Sequence, residues 1–468
     1  MKKAFYFLTV LVLPCLLALN CGKNNNDTEE PKQEQEESSG EEGELQPLKA
    51  SVPVTGNWVF EFDGEGKGKP SLTIHVENPN AQAVTAETET WFTTDMKQAV
   101  ETVSKQVEVP AKGSIDIPVT TTKDLDPGFY FANCFVNSKK ARGFYFGVSP
   151  TKIVSEPDMQ DDYITFWNTA FSQLPELTKS NIRMVEVTAK SNKDSKAWFV
   201  EFPSVPDGLT GDPVLIRGYY LEPQDGKEHP VIMHFQGYDS QPSSLSCPNG
   251  NDGHYAEFYL SHRGQYINNR KASQRDDGVQ EDFTNIYGDW FAYSFGNKDS
   301  YYYRGAFMDC VQAVHFMATR STSDMDNLFA EGSSQGGALC YAAAALSDYP
   351  FNAIAPNVAF LGDFRDYFQI VSWPGNVAKA SQGSMTDDEM YAFLSYFDTK
   401  NLATLITCPV YATSGLQDGT CPPHTNFAPF NVLMNPKKEM HVYPEMTHDY
   451  PRTWFSDIAK FFEANMQK

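Results

Sequence analysis

Ser334 stands at the centre of Gly332-Ser333-Ser334-Gln335-Gly336, a Gly-x-Ser-x-Gly pentapeptide. A serine hydroxyl becomes a useful nucleophile when a sharp turn holds it beside a base and an oxyanion hole. Glycines at 332 and 336 permit such a turn, because a Cβ at either position would crowd the backbone. The bland alternative is an ordinary Gly-rich loop. If Ser334 is the nucleophile, an acid and then a histidine should follow it. Asp418 lies in Ser414-Gly415-Leu416-Gln417-Asp418-Gly419, directly after an apolar run, where a carboxylate would fix the tautomer of a histidine and stabilise its charged form. Its bland alternative is an Asp-Gly turn. Three histidines come later. His448, in Pro444-Glu445-Met446-Thr447-His448-Asp449, occupies the segment between the last expected strand and the last expected helix, and is read as the base. His424 reads as a loop histidine and His441 as a strand-face histidine. The oxyanion hole needs two backbone N–H groups. Gln335, the residue after the nucleophile, supplies one. Tyr238, in Gln236-Gly237-Tyr238-Asp239 after an early strand, supplies the other.

The surrounding segments have the periods needed to position these residues. Asn327-Leu328-Phe329-Ala330 reads as a short buried strand and 338–346 as a helix of small residues, so the elbow has strand, turn and helix in the required order. Val231–Phe235, Trp290–Tyr293 and Val410–Thr413 read as continuous apolar strands. Asp161–Leu174, an amphipathic Phe307–Ala318 and Trp454–Asn465 read as helices. Alternation of strands and helices predicts a mostly parallel sheet with helices on both faces over 151–468. Before it, from 50 to 150, the pattern is different. Short runs alternate with period two, as in Leu72-Thr73-Ile74-His75-Val76, and are broken by turn clusters. About seven strands in that length predict an all-β, immunoglobulin-like sandwich. Trp58, Trp91, Phe129, Tyr130 and Phe131 could present a sugar-binding surface there, although alternating aromatics more often form core.

The chain has 468 residues, a formal net charge of −23 and 41% apolar content. The apolar fraction supports a full core in two or more domains. The acidity argues against a nucleic-acid partner, which would require a basic face. Nine acidic residues and one lysine fall between Asp27 and Glu44. This tract, within 22–49, cannot bury enough apolar surface to fold and reads as a solvated tether. Residues 1–21 carry Lys2 and Lys3 and then an apolar run to Leu19, the pattern of an export signal. Ala18-Leu19-Asn20-Cys21 resembles a bacterial lipoprotein cleavage site with Cys21 as the lipidated residue. The expectation is an exported protein, lipid-anchored to the outer membrane on its periplasmic or surface side, with membrane contact through that anchor alone. Ordinary cleavage would leave it periplasmic. Six further cysteines (134, 247, 310, 340, 408 and 421) show no metal-ligand spacing. Cys310 and Cys340 lie in apolar helical stretches and read as buried thiols. The oxidising compartment permits a disulfide, but spacing alone does not choose a pair.

Several separated motifs then resemble one family. His262-Arg263-Gly264-Gln265 contains Arg-Gly-Gln, 332–337 reads Gly-x-Ser-Gln-Gly-Gly, and 415–423 reads Gly-Leu-x-Asp-x-x-Cys-Pro-Pro. Tyr301-Tyr302-Tyr303-Arg304-Gly305 followed by Asp309 adds a fourth. Together they are similar to the acetylxylan esterases and cephalosporin C deacetylases of carbohydrate esterase family 7, from about residue 155 onward. The family's usual His-Glu is here His448-Asp449. The resemblance implies an α/β-hydrolase that removes acetyl groups from small acetylated sugars and xylo-oligosaccharides, without a metal or other cofactor. It implies that Arg263 and Gln265 are structural supports near the site. It also implies a homo-oligomer, although the upstream sandwich is not part of the usual family domain. The rival readings are a serine peptidase of the same fold and a carbohydrate-binding lipoprotein with an inactive hydrolase domain.

Overall fold

The computed structural model describes residues 45–238, 244–267 and 287–467. The expected export segment, Cys21 and the acidic tract as far as Glu44 lie outside the described residues. The first eight strands are β1 (Lys49–Ser51), β2 (Val59–Phe60), β3 (Ser71–Glu77), β4 (Val84–Thr94), β5 (Ala99–Val109), β6 (Ser114–Thr120), β7 (Gly128–Val136) and β8 (Lys139–Val148). They form two sheets, β1-β3-β6 and β2-β8-β7-β4-β5. All their pairings are antiparallel except the short β2–β8 contact. Alternate residues point inward, as period two requires. Leu72, Ile74 and Val76 of one sheet and Phe92, Ala132 and Phe146 of the other are all buried in one hydrophobic cluster. Gln46 exchanges two hydrogen bonds with Asn80, so ordered backbone begins ahead of β1.

Beyond Pro150 come β9 (Arg183–Glu186), β10 (Ser195–Ser204), β11 (Val214–Pro223), β12 (His229–Phe235), β13 (Ser244–Leu245), β14 (Ala256–Ser261), β15 (Tyr266–Ile267), β16 (Ser323–Ser333), β17 (Ala353–Asn357), β18 (Val410–Gly415) and β19 (Lys438–Tyr443). The helices are α1 (Tyr163–Phe171), α2 (Tyr302–Ala318), α3 (Gln335–Leu346), α4 (Phe364–Ile370), α5 (Gly375–Ser381), α6 (Asp387–Leu394), α7 (Thr399–Ala403), α8 (Pro423–Val432) and α9 (Trp454–Ala464). Nine strands build one sheet in the order β19-β18-β17-β16-β12-β14-β11-β10-β9. From β19 to β14 every pairing is parallel, and from β14 to β9 every pairing is antiparallel. Successive side chains face opposite sides. Val231, Met233 and Leu328 pack in the cluster that contains α2 and α3, whereas Ile232 and Phe329 pack against Trp454, Ile458 and Phe462 of α9. Helices therefore cover both faces, as expected for a parallel-rich sheet. No helix among the described residues is long and apolar enough to cross a membrane.

Two expected elements differ. Trp290–Tyr293 is a series of turns, not a strand. Asp289 Oδ1 accepts from the amides of Phe291 and Ala292, closing an Asx-type turn that outcompetes extended pairing. The expected helix 307–318 starts earlier, at Tyr302, and is not amphipathic. It is buried on nearly every side, with Asp309 and Gln312 among its buried residues.

Candidate active site

β16 ends at Ser333 and α3 begins at Gln335, so Ser334 occupies the turn between them. Its backbone has φ 60° and ψ −120°, a conformation L residues rarely adopt. Three main-chain bonds hold that strain. Ser334 N donates to Asn357 O (2.9 Å), and Ser334 O accepts from Phe360 N (3.0 Å) and Ala338 N (3.2 Å). The flanking glycines are required sterically: a Cβ on Gly336 would lie 2.2 Å from Phe235 O, and one on Gly332 would lie 2.6 Å from the Gly336 carbonyl. Ser334 itself is partly exposed.

Asp418 is buried, in the loop that leaves β18. Its Oδ1 accepts from Thr420 N (2.8 Å) and Cys421 N (2.9 Å), which fixes the carboxylate. Its Oδ2 lies 2.8 Å from His448 Nδ1. That bond keeps the proton on Nδ1 and leaves Nε2 as the basic nitrogen. Gly415 makes the approach possible, since a Cβ there would sit 2.5 Å from Met446 O in the loop that carries His448. The acid turn also abuts the nucleophile. The Cys421 thiol meets the Tyr367 hydroxyl (3.8 Å), and burial and the Asp418 charge push its pKa well up against the opposing influence of Tyr367 and Ser334, so it is an uncharged neighbour.

Gln335, the first residue of α3, is buried and its side chain is fixed from both ends. Tyr303 donates its hydroxyl to Oε1 (2.9 Å), and Nε2 lies 2.9 Å from His262 Nε2. His262 Nδ1 in turn meets the Tyr302 hydroxyl (2.9 Å), whose proton goes to Arg263 O (2.8 Å). The directions agree throughout if His262 is neutral with its proton on Nδ1. Tyr238 follows β12. Its hydroxyl donates to Asp289 Oδ1 (2.8 Å), and its ring packs on Trp290 and Trp373.

The Arg-Gly-Gln motif does not line the site directly. Arg263 is buried in a bidentate pair with Asp309 (2.9 and 2.7 Å), in space opened by Gly305, where a Cβ would lie 2.1 Å from the guanidinium. Gln265 N closes a turn onto His262 O (3.0 Å). The residue of this segment that reaches Gln335 is His262.

Three further side chains escaped the sequence reading. Asn357 donates to Ser333 Oγ (2.7 Å) and Asp449 O (3.1 Å), and accepts from the Thr413 hydroxyl, tying the elbow to the residue after His448. Gln417 bonds both backbone groups of Tyr145. His424 is not in a loop but in α8, buried among carboxylates: Asp95 Oδ2 at 3.3 Å from Nδ1, and Asp366 Oδ2 at 3.0 Å from Nε2. Burial opposes its charged form, but Asp363, Asp366 and Asp95 overcome it and hold its pKa well above the ordinary value. Asp363, Asp366 and His424 also bring metal-ligand atoms within 4.8 Å of one another. The Lys400 ammonium, 3.2 Å from Asp363, already offsets part of that charge. No local motif carries this cluster, because Asp95 is more than 300 positions away from His424 in the chain.

A strained serine between a strand and a helix, with a hydrogen-bonded Asp–His pair of buried Asp418 and half-buried His448 on the loops after β18 and β19, defines an α/β-hydrolase with a serine-hydrolase site. The chain belongs to the acetyl xylan esterase (AXE1) family, whose profile matches residues 151–466. It is a carboxylic ester hydrolase. It is 25% identical over 407 residues to the acetyl esterase Axe7A of Xylanibacter ruminicola, covering 83% of this chain and 84% of that one. Acetyl xylan esterase 1 from a Thermoanaerobacterium species superposes with a TM-score of 0.55 at 23% identity, over 68% of this chain and 98% of its own. The acetyl xylan esterase of a Paenibacillus species does so with a TM-score of 0.54 at 27% identity, over 67% and 98%.

Proposed function

We propose that the chain removes acetyl groups from acetylated carbohydrates, of which xylo-oligosaccharides are the leading class, by two-step acyl transfer. The observation that carries this reading is the strained Ser334 elbow joined to the 2.8 Å Asp418–His448 bond, in a chain of the acetyl xylan esterase family. Ser334 Oγ attacks the acetyl carbonyl as His448 Nε2 takes its proton. The N–H groups of Gln335 and Tyr238 hold the tetrahedral oxyanion. Collapse of that intermediate expels the sugar alkoxide, which takes the proton from His448. Water, deprotonated by His448, then attacks the acetyl-enzyme and releases acetate. The Asp418 carboxylate orients and stabilises the imidazolium in both steps. Arg263 and Gln265 act at a distance, by fixing the segment that places His262 against Gln335.

The division into an export segment (1–21), a tether, a sandwich ending near 150 and a hydrolase domain (151–468) belongs to the same proposal, with the tether ending by Leu45 and not at 49, since Gln46 already bonds Asn80 and β1 starts at Lys49. So does lipidation at Cys21, supported by the residues around it, with the enzyme held at the outer membrane. Assay of acetate release from a panel of acetylated oligosaccharides and small esters tests the activity. Wild-type turnover with none of the saccharides would overturn the substrate class. Near-normal turnover by Ser334→Ala would overturn the mechanism.

A further inference from the structure

The five aromatics singled out from the sequence are separated by the fold. Trp58, Phe129 and Tyr130 are buried, whereas Trp91 is 46% exposed. Strand parity explains the rest. Phe129, Phe131, Asn133 and Phe135 lie on one face of β7, and Trp91, Thr93 and Asp95 lie on the same face of β4 and the turn that follows it. Cross-strand rows continue this face onto β8: Thr93–Phe131–Tyr145, then Trp91–Asn133–Gly143. The two ends of the face differ. At one end Asp95 meets His424, Phe129 packs on Phe427 of α8 at 5.4 Å, and the Tyr145 backbone bonds Gln417. At the other end Trp91 tilts against Phe135 at 4.8 Å and is open to solvent.

The same face is therefore half covered and half bare, and the boundary falls at Phe131 and Tyr145, whose rings meet at 4.9 Å. Gln417, which bonds Tyr145, precedes the catalytic acid. Arg142, three residues earlier on β8, bonds Glu445 (2.8 Å) in the loop that leads to His448. β8 thus runs beside both catalytic loops, and the bare half of the face begins on that strand in the row after Tyr145. The Trp91 row is two residues, about 7 Å, from the Tyr145 row. Gly143 leaves room for the half-buried Phe131 ring, since a Cβ there would lie 2.7 Å from it.

We propose that this open half-face, built on Trp91, Phe135, Phe131 and Tyr145, is a platform for neutral pyranose chains. It would hold the unreacting sugars of an oligosaccharide whose acetyl ester occupies the site. The proposal rests on the carbohydrate deacetylase reading and extends it. A pyranose ring offers an apolar C–H face that stacks on an aromatic ring, and a rim of hydroxyls. Aromatic anchors provide that contact area at low conformational cost. Thr102 and Ser104 of β5, directly across from Trp91 and Glu89, are exposed polar groups on the same face for the hydroxyl rim. Glu87 and Glu89 beside them disfavour an anionic glycan.

Trp91→Ala in the full chain tests it. Turnover of a small aryl acetate should stay within about twofold, which also reports intact folding. The KM for a long acetylated xylo-oligosaccharide should rise about tenfold with kcat unchanged, and Trp91→Tyr should restore most of it. In the Ser334→Ala chain, calorimetric binding of unsubstituted xylohexaose should weaken about tenfold on adding Trp91→Ala. Unchanged KM and unchanged xylohexaose binding would overturn the platform. Hydrolysis of aryl acetate but of no acetylated saccharide would instead overturn the deacetylase reading, and the xylohexaose measurement would still decide the platform.

Discussion

The side-chain amide of Gln417 pairs with the backbone of Tyr145 as a neighbouring strand would, accepting from its N–H (3.0 Å) and donating to its carbonyl (3.1 Å). The same nitrogen donates to Pro444 O (2.8 Å), and Gln417 N donates to Met446 O (3.0 Å). One residue thus joins the edge of β8, the acid loop and the histidine loop. Gln417→Ala should lower kcat on a small ester about tenfold with little change in KM, because the loss acts on placement of Asp418 and His448 and not on substrate contact. An unaltered kcat in steady-state assays would refute this positioning role.

On the proposed mechanism, Asp418 and Ser334 make distinct contributions. Ser334→Ala should lower acetate release by at least about three orders of magnitude and abolish labelling by a fluorophosphonate. Asp418→Asn keeps the shape but reverses the preferred His448 tautomer, and should cost about 10⁴ in kcat. Circular dichroism of both variants should match the wild type.

On the α9 face of the sheet, His234 lies between Glu331 (2.7 Å) and Glu257 (3.2 Å). Burial disfavours its charged form, but the two carboxylates raise its pKa to about 9. Burial would likewise raise Glu257, but His234, Tyr259 and Asn251 bring it down to about 2. The His234 contribution to stability is complete below its ordinary pKa of 6.5 and is lost as pH rises through about 9. The Glu257 contribution is complete above 4.5 and is lost as pH falls toward about 2. Calorimetric melting should therefore show a plateau at pH 5 to 6.5 and a decline toward about pH 9. His234→Gln should lower the plateau and flatten the alkaline decline; an unchanged slope would refute the assignment.

His424 joins the first eight strands to the larger sheet through Asp95. Removing one member of a buried charged group leaves the others uncompensated, so His424→Ala should destabilise by about 3–5 kcal/mol in urea unfolding. Adding Asp95→Asn to that variant should cost less than the two single losses combined, because the pair is coupled. Full additivity would refute the coupling.

The elbow was legible in the sequence because its determinants are local. Gly332, Ser334 and Gly336 act within one turn, and the flanking strand and helix carry their own periods. Asp418 and His448 were legible through their order and their places after expected strands. The turns at 290–293 were not, because four apolar residues look alike in a strand and in a packed loop, and the Asp289 carboxylate decides between them. Gln417, Asn357 and His424 were illegible for another reason. Each acts on a residue 56 to more than 300 positions away, or on two loops at once, and neither periodicity nor motif spacing encodes such a meeting. The aromatic set was half legible: its members were visible, but strand parity decides which of them face solvent.

All six cysteines among the described residues are buried free thiols. The packing of the described residues therefore owes nothing to covalent cross-links, whichever redox compartment the chain occupies. A protein built this way can mature in a reducing cytoplasm as readily as outside it. Its folded yield should be indifferent to dithiothreitol and to disulfide isomerases, so recovery from either compartment reads the strength of the core alone.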